Sequence, residues 1–184
     1  MANMASVSYR IEGPKEDLKE INDAIVEAIK DDEHWTEWSA CRNLGFSEEY
    51  LDDKRLGGGI EEEPSLEENT LEFYAEERWG LQDFEEVLRQ KFPEIKVSWI
   101  VEEPGCEVYA TTDKEGKYFP DRYYCELCKS DQIDQDYFET EEDMFQWLSQ
   151  MTNGKIKNWK DVDAYELECD DENYIIIHQF EVID

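Results

Sequence analysis

Leu71-Glu72-Phe73-Tyr74-Ala75-Glu76, followed by Leu81, Phe84, Val87, Leu88 and Phe92, and then by Ile95, Val97, Trp99 and Val101, is the stretch that decides the fold. Apolar residues first alternate with polar ones, then recur at helical spacing, then alternate again. This is the pattern of a strand, a helix and a second strand. Phe92-Pro93 ends the helix, because proline lacks the N–H that would continue the ladder. Toward the N-terminus, Val7, Tyr9 and Ile11 alternate into an earlier strand that Gly13-Pro14 closes. Leu18, Ile21, Ile25 and Ile29 then form an apolar stripe, with Glu16, Lys19, Asp23, Glu27 and Lys30 on the opposite side. Toward the C-terminus, Pro104-Gly105 makes a turn, residues 108–112 a strand, residues 113–116 a hairpin turn and residues 118–127 a further strand.

The order β-α-β-α-β-β-β predicts an α+β fold, with both helices on one face of the sheet because strand–helix–strand crossovers are right-handed. Residues 31–69 interrupt it without a clear period. They hold Trp35, Trp38, Gly57-Gly58-Gly59 and Glu61-Glu62-Glu63, and read as a long insertion with a short helix near 47–54. Beyond Lys129 the composition shifts: residues 130–184 carry a net charge of −13, with Lys155, Lys157 and Lys160 as the only bases. Thr140 and Asp143 fit a capping box, and Met144, Phe145, Trp147, Leu148 and Met151 supply the buried side of the helix it opens. Residues 164–170 and 174–183 read as a hairpin around Asp171-Glu172-Asn173. The expected organisation is therefore an α+β domain over 1–129, with the insertion at about 31–69, and an acidic helix-plus-β-hairpin extension over 130–184.

The run Leu71-Glu72-Phe73-Tyr74-Ala75-Glu76-Glu77-Arg78-Trp79-Gly80, then Phe92-Pro93-Glu94-Ile95 with Trp99, Glu102 and Glu103, then Glu115-Gly116, resembles the ferredoxin-like domain of the Api92-like proteins, which phages, plasmids and bacterial chromosomes carry. The likeness spans about residues 70–120. Where that family has an aromatic-Thr-Trp-Pro-Pro pattern, this chain reads Phe73-Tyr74-Ala75-Glu76-Glu77-Arg78-Trp79. The resemblance implies a ferredoxin-like sheet and a mobile-element origin; it transfers no catalytic residue, and fold alone does not name a function.

Charge excludes one large class of function. With 49 acids against 18 bases the net charge is −31, and a surface that negative opposes the counterion release by which Lys and Arg bind phosphate backbones. The same field attracts basic proteins, although acidity also serves solubility alone. Hydrophobic residues at 40%, with six tryptophans, are enough to build a core, so the charge does not imply disorder. Residues 1–13 show no basic region followed by an apolar stretch, no run approaches a membrane span, and five scattered cysteines make no disulfide framework. The expected location is the cytoplasm.

The motifs of catalysis are missing. His34 and His178 sit in no metal-binding or nucleophile pattern, and carboxylate pairs carry no information in a chain with 49 acids. The glycine triplet at 57–59 is followed by Ile60 and three glutamates rather than by Lys-Ser/Thr, so it reads as a turn and implies no nucleotide cofactor. The acidic stretch 131–142 lacks the glycine and the spacing of a calcium loop. Cys125 and Cys128 have zinc-compatible spacing only if the strand breaks into a knuckle; on an intact strand, residues three apart face opposite ways.

Two groups remain as partner-binding candidates. Trp35 and Trp38 lie in the aperiodic segment beside acids, where either a packed loop or a partner anchor accounts for them. Glu166, Glu168 and Asp170 would line one face of the strand at 164–170; with Asp171, Glu172, Glu139, Glu141, Glu142 and Asp143 they would form a phosphate-like surface or an ordinary solvated face. The function expected is a non-catalytic acidic protein that binds a basic, nucleic-acid-binding partner, in the manner of an anti-restriction or anti-CRISPR mimic. The alternative is an accessory domain whose acidity only confers solubility. Either way, the protein should show no mobility shift with single- or double-stranded nucleic acid at physiological salt; a micromolar shift would overturn that expectation.

Overall fold

In the computed structural model, which describes residues 4–78, 80, 83–130, 132–167, 169 and 173–183, Ala5, Val7, Tyr9 and Ile11 are buried, and the residues between them are exposed or half-buried. They belong to β1 (Met4–Glu12), whose period-two pattern presents one face to the core. β1 pairs antiparallel on one side with β4 (Thr70–Arg78) and on the other with β5 (Lys96–Glu103). The registers Val7↔Ala75, Tyr9↔Phe73 and Ile11↔Leu71 put like faces together. β2 (Gly58–Gly59) and β3 (Ser65–Glu67) both pair antiparallel with β4, and β6 (Val108–Thr111) with β5. Within this part of the chain the strand order is β6-β5-β1-β4-β2, with β3 also on β4.

One hydrophobic cluster joins the inward residues of β1, β4 and β5 to those of α1 (Lys15–Ala28), α2 (Thr36–Asn43) and α4 (Phe84–Lys91). Leu18, Ile21 and Ile25 of α1 are fully buried, as the three- and four-residue spacing requires. On α4, Phe84 meets Tyr9 edge-on at 6.3 Å and Phe73 at 6.0 Å. Leu81, expected on the same stripe, and Trp79 lie outside the described residues.

The insertion at 31–69 is ordered. α2, which the sequence does not announce, occupies its first part. α3 (Glu48–Leu51) falls within the expected 47–54 window, with the Ser47 hydroxyl accepting from the Tyr50 amide at 3.3 Å. The glycines read as a turn form β2 instead: Gly58 and Gly59 stand opposite Glu77 and Glu76.

The chain divides into two units, 1–112 and 113–184, rather than at 129/130. The reason is the strand expected at 118–127. The strand that forms there, β7 (Tyr123–Lys129), is the centre of a separate sheet, β8-β7-β9, made with β8 (Gln132–Phe138) and β9 (Asn173–Gln179). The turn at 113–116 forms but leads into a loop, in which the Asp113 carboxylate accepts from the amides of Tyr118 and Phe119 at 2.5 and 2.8 Å. α5 (Glu141–Met151) opens on the expected box, with the Thr140 hydroxyl accepting from the Asp143 amide at 3.2 Å. Met144, Phe145 and Leu148 pack on Cys125, Leu127 and Ile175 of the sheet.

The expected strand at 164–170 does not form. Residues Trp159–Glu166 are a helix, α6, capped by the Asn158 side chain accepting from the Asp161 amide at 3.2 Å. Val162 is buried and Tyr165 packs beside it, a three-residue step that belongs to a helix; Leu167, which a strand with Glu166 and Glu168 facing water would turn inward, is 89% exposed. β9 therefore pairs with β7 and not with a hairpin neighbour. Since Phe84 fills the space between α4 and β1–β4, Phe84→Ala should cost about 3–5 kcal/mol of stability, measured by urea unfolding.

Candidate functional site

Of the acids expected to act together, the described ones are dispersed over helix ends and loops. Glu166 ends α6. Glu168, Asp170, Asp171 and Glu172 lie outside the described residues. Asp143 is tied to Thr140, which donates to it at 2.6 Å, and Glu141 accepts from the Trp159 indole N–H at 2.8 Å. These acids stabilise the N-terminus of α5, where the helix dipole favours negative charge. Glu139 and Glu142 are exposed. With Glu166 on a helix, the row of carboxylates on a strand face is not formed.

Trp35 and Trp38 are brought together. They line a cleft of about 620 Å³ with Asp32, Glu33, His34, Glu48, Asp52 and Leu56. Trp35 occupies the N-cap position of α2 and is 42% exposed. Trp38, one turn on, is half-buried. The His34 ring stacks on Trp38 with centroids 4.4 Å apart, and the Arg42 guanidinium lies 5.2 Å from its centre. Both are fixed through Asp31, which contacts His34 Nδ1 at 3.3 Å and accepts from Arg42 at 3.0 Å and from the Ser39 hydroxyl at 2.7 Å. The hydrogen bond from Ser39, then the amide of Glu33 and the imidazole of His34, draw the Asp31 carboxyl down to about 2.

The other acids of the cleft are different. Among the described residues, Asp32, Glu33, Glu48 and Asp52 have no ion-pair partner, whereas Asp31, Glu86 and Asp83 are matched by Arg42, Lys54 and Arg55. Negative charge without internal neutralisation thus surrounds an exposed indole face. Such a site attracts a cation twice, by Coulomb force and through the aromatic quadrupole.

Beneath the cleft lies a feature that sequence reasoning missed. Glu37, between the two tryptophans on α2, is completely buried, as is Glu77 on β4. One Glu37 oxygen accepts from the Gly58 amide at 2.9 Å; the other has no donor. The Tyr9 hydroxyl donates to Glu77. Burial and then the charge of Glu77 push the Glu37 carboxyl well above the ordinary carboxylate range. Two carboxyl groups sharing one buried site favour a proton on one of them. The arrangement needs glycine at 58, since a Cβ there would lie 2.2 Å from the Glu37 carboxyl carbon.

Cys125 and Cys128 sit on an unbroken strand and point to opposite faces, Cys125 into the core with its thiol raised to about 12 by burial. They form no chelate. His178, on β9, stacks on its cross-strand neighbour Tyr124 at 6.2 Å. Among the described residues no group of three or more His, Cys, Asp or Glu is placed to hold a metal ion, and no helix is long and apolar enough to cross a membrane. Comparison with protein families, curated proteins and solved structures finds no match.

The raised proton affinity of Glu37 has a thermodynamic consequence. Its affinity for the proton is higher folded than unfolded, so its contribution to stability is complete below the ordinary carboxylate range and is lost as pH rises through the folded value. Urea midpoints measured across neutral to alkaline pH should fall in the wild type and fall less steeply in Glu37→Gln.

Proposed function

We propose that this chain is a non-catalytic acidic binding protein that engages a basic protein, with the cleft of the first unit seating a Lys or Arg side chain of the partner. The observation that carries this reading is the exposed Trp35 beside four carboxylates that have no cationic partner among the described residues. A cation entering the cleft gains the indole face and neutralises fixed charge, while the rest of the acidic surface steers the encounter. Because such partners include proteins that hold phosphate backbones, the chain would compete with nucleic acid for them, as an anti-restriction or anti-CRISPR mimic does.

The proposal includes the fold. We read the order β5-β1-β4 followed by β2 and β3, with α1 and α4 contributing to one cluster on one face, as ferredoxin-like with β6 added at an edge. Two observations support it: the antiparallel pairing throughout this sheet segment, and the position of β1 between β4 and β5, which places the strands flanking α4 one strand apart. This is the fold implied by the resemblance to the Api92-like proteins, and a mobile-element origin would accord with a role against a host's nucleic-acid machinery.

The test is a titration with an oligoarginine peptide followed by calorimetry. Trp35→Ala should weaken binding about tenfold, corresponding to ~1.4 kcal/mol. Glu48→Gln with Asp52→Asn should flatten the salt dependence. If Trp35→Ala and the double neutralisation leave affinity and salt response unchanged, the cleft is not the site and the acidity serves solubility alone.

A further inference from the structure

The same short helix carries the walls of the cleft and the buried acid. Trp35 and Trp38 flank Glu37 on α2, and Glu37 is the polar link from that helix into the sheet: to the Gly58 amide on β2 at 2.9 Å, and toward Glu77 on β4. Apolar anchors are modest here. Of the residues of α2, Ala40 and Cys41 are the small buried hydrophobics, with Trp38 partly buried against the core. The position of α2 on the sheet therefore depends strongly on what Glu37 can bond.

We propose that a single proton shared between Glu37 and Glu77 latches α2 to the sheet and so holds the Trp35–Trp38 cleft in its cation-binding shape, making the site one that alkaline conditions open. The inference rests on the reading of the cleft as a binding site for its use, but the latch itself is argued from the complete burial of Glu37 and Glu77, the hydrogen bond from the Gly58 amide to Glu37 and the pairing of Gly58 with Glu77 across β2 and β4. With the proton present, Glu37 donates to Glu77, and Glu77 also accepts from Tyr9. Once the proton leaves to solvent, two carboxylates face each other in a space sealed from water, and repulsion in that medium is far stronger than at the surface.

Among the described residues, the charged groups that act on Glu37 are acids. From β4 it meets Glu77; from the segment before α4 it feels Asp83, which is itself engaged by Arg55; from β2 it meets the Gly58 amide. On its own helix the neighbouring titratable group is Cys41, whose thiol burial and the charge of Glu37 both raise. From β1 the group is Tyr9, whose phenol is raised well above its usual range by burial and then by Glu77, Glu37 and Glu85. Every one of these is an acid. The cheapest response to deprotonation is to bring Glu37 out to water, which means moving α2 and with it both tryptophans.

The experiment is ¹⁹F NMR of the ligand-free full chain labelled with 5-fluorotryptophan, with Trp35 and Trp38 assigned by Trp35→Phe and Trp38→Phe. On titration from mildly acidic to alkaline pH, the Trp35 and Trp38 resonances should move together while those of Trp99, Trp147 and Trp159 stay in place. In Glu37→Gln, a neutral donor to Glu77 at every pH, the transition should vanish. Tyr9→Phe removes a donor from Glu77, so the pair should keep its proton to higher pH and the transition should shift upward; this variant serves if Glu37→Gln fails to fold. A wild type with no Trp35/Trp38 transition, one in which all tryptophans move at once, or a transition unchanged by Glu37→Gln and Tyr9→Phe would overturn the latch. Because no ligand is present, the result is separate from that of the oligoarginine titration: a cleft that moves but binds no cation sinks the function and leaves the latch standing.

Discussion

The structure of the first unit depends on β1 being paired on both sides. A central strand whose backbone is bonded to β4 in one direction and β5 in the other cannot slip by one residue without turning Val7, Tyr9 and Ile11 out of the core. That register puts Tyr9 under α4 and directs its hydroxyl to Glu77. It also exposes the second edge of β4 to β2 and β3, and hence brings the glycine segment and α2 to the sheet. The buried acid pair is thus a product of the sheet register: Glu77 is an inward position of β4, on the side that Phe73 and Ala75 also occupy.

A glutamate at an inward position is costly unless its charge is shared or satisfied. Here Glu77 accepts from the Tyr9 hydroxyl and lies beside the buried Glu37, and one proton shared between the two acids relieves their repulsion. The contrast with Asp31 is instructive. Six residues before Glu37, Asp31 is surrounded by a hydroxyl, a guanidinium and an imidazole, and its carboxyl is drawn down. Two carboxyl groups at the two ends of the same connection are driven in opposite directions by what faces them.

In the second unit the sheet edge explains the polar look of β8. Ile133 is 54% exposed, and Asp134 and Asp136 occupy positions opposite the inward Leu127 and Cys125. Charges at the inward positions of an edge strand discourage another chain from pairing there. The same acids give the stretch its superficial likeness to a cation-binding loop, although its backbone is extended.

By itself the sequence determined the elements whose period is strong: β1, α1, β4, α4 and β5, and α5 with its Thr140 cap. In these the buried face is written in every second, or every third and fourth, residue, and local propensity and tertiary packing agree. It also placed Trp35 and Trp38 outside the core pattern, where the cleft lies. Tertiary structure decided the rest. α2 was illegible because its buried side holds Glu37, Ser39, Ala40 and Cys41, too polar and too small to show a stripe. β2 was illegible because two glycines have no side-chain signal; the role of Gly58 is to let Glu37 approach the backbone, which only the folded arrangement creates. α6 was misread because Tyr165, Leu167 and Cys169 alternate by chance, whereas Asn158 and Asp161 form a cap whose meaning depends on the helix following it. The acid pair belongs to the same class, for in a chain with 49 acids only contact between residues 40 apart in sequence singles out the two that share a proton.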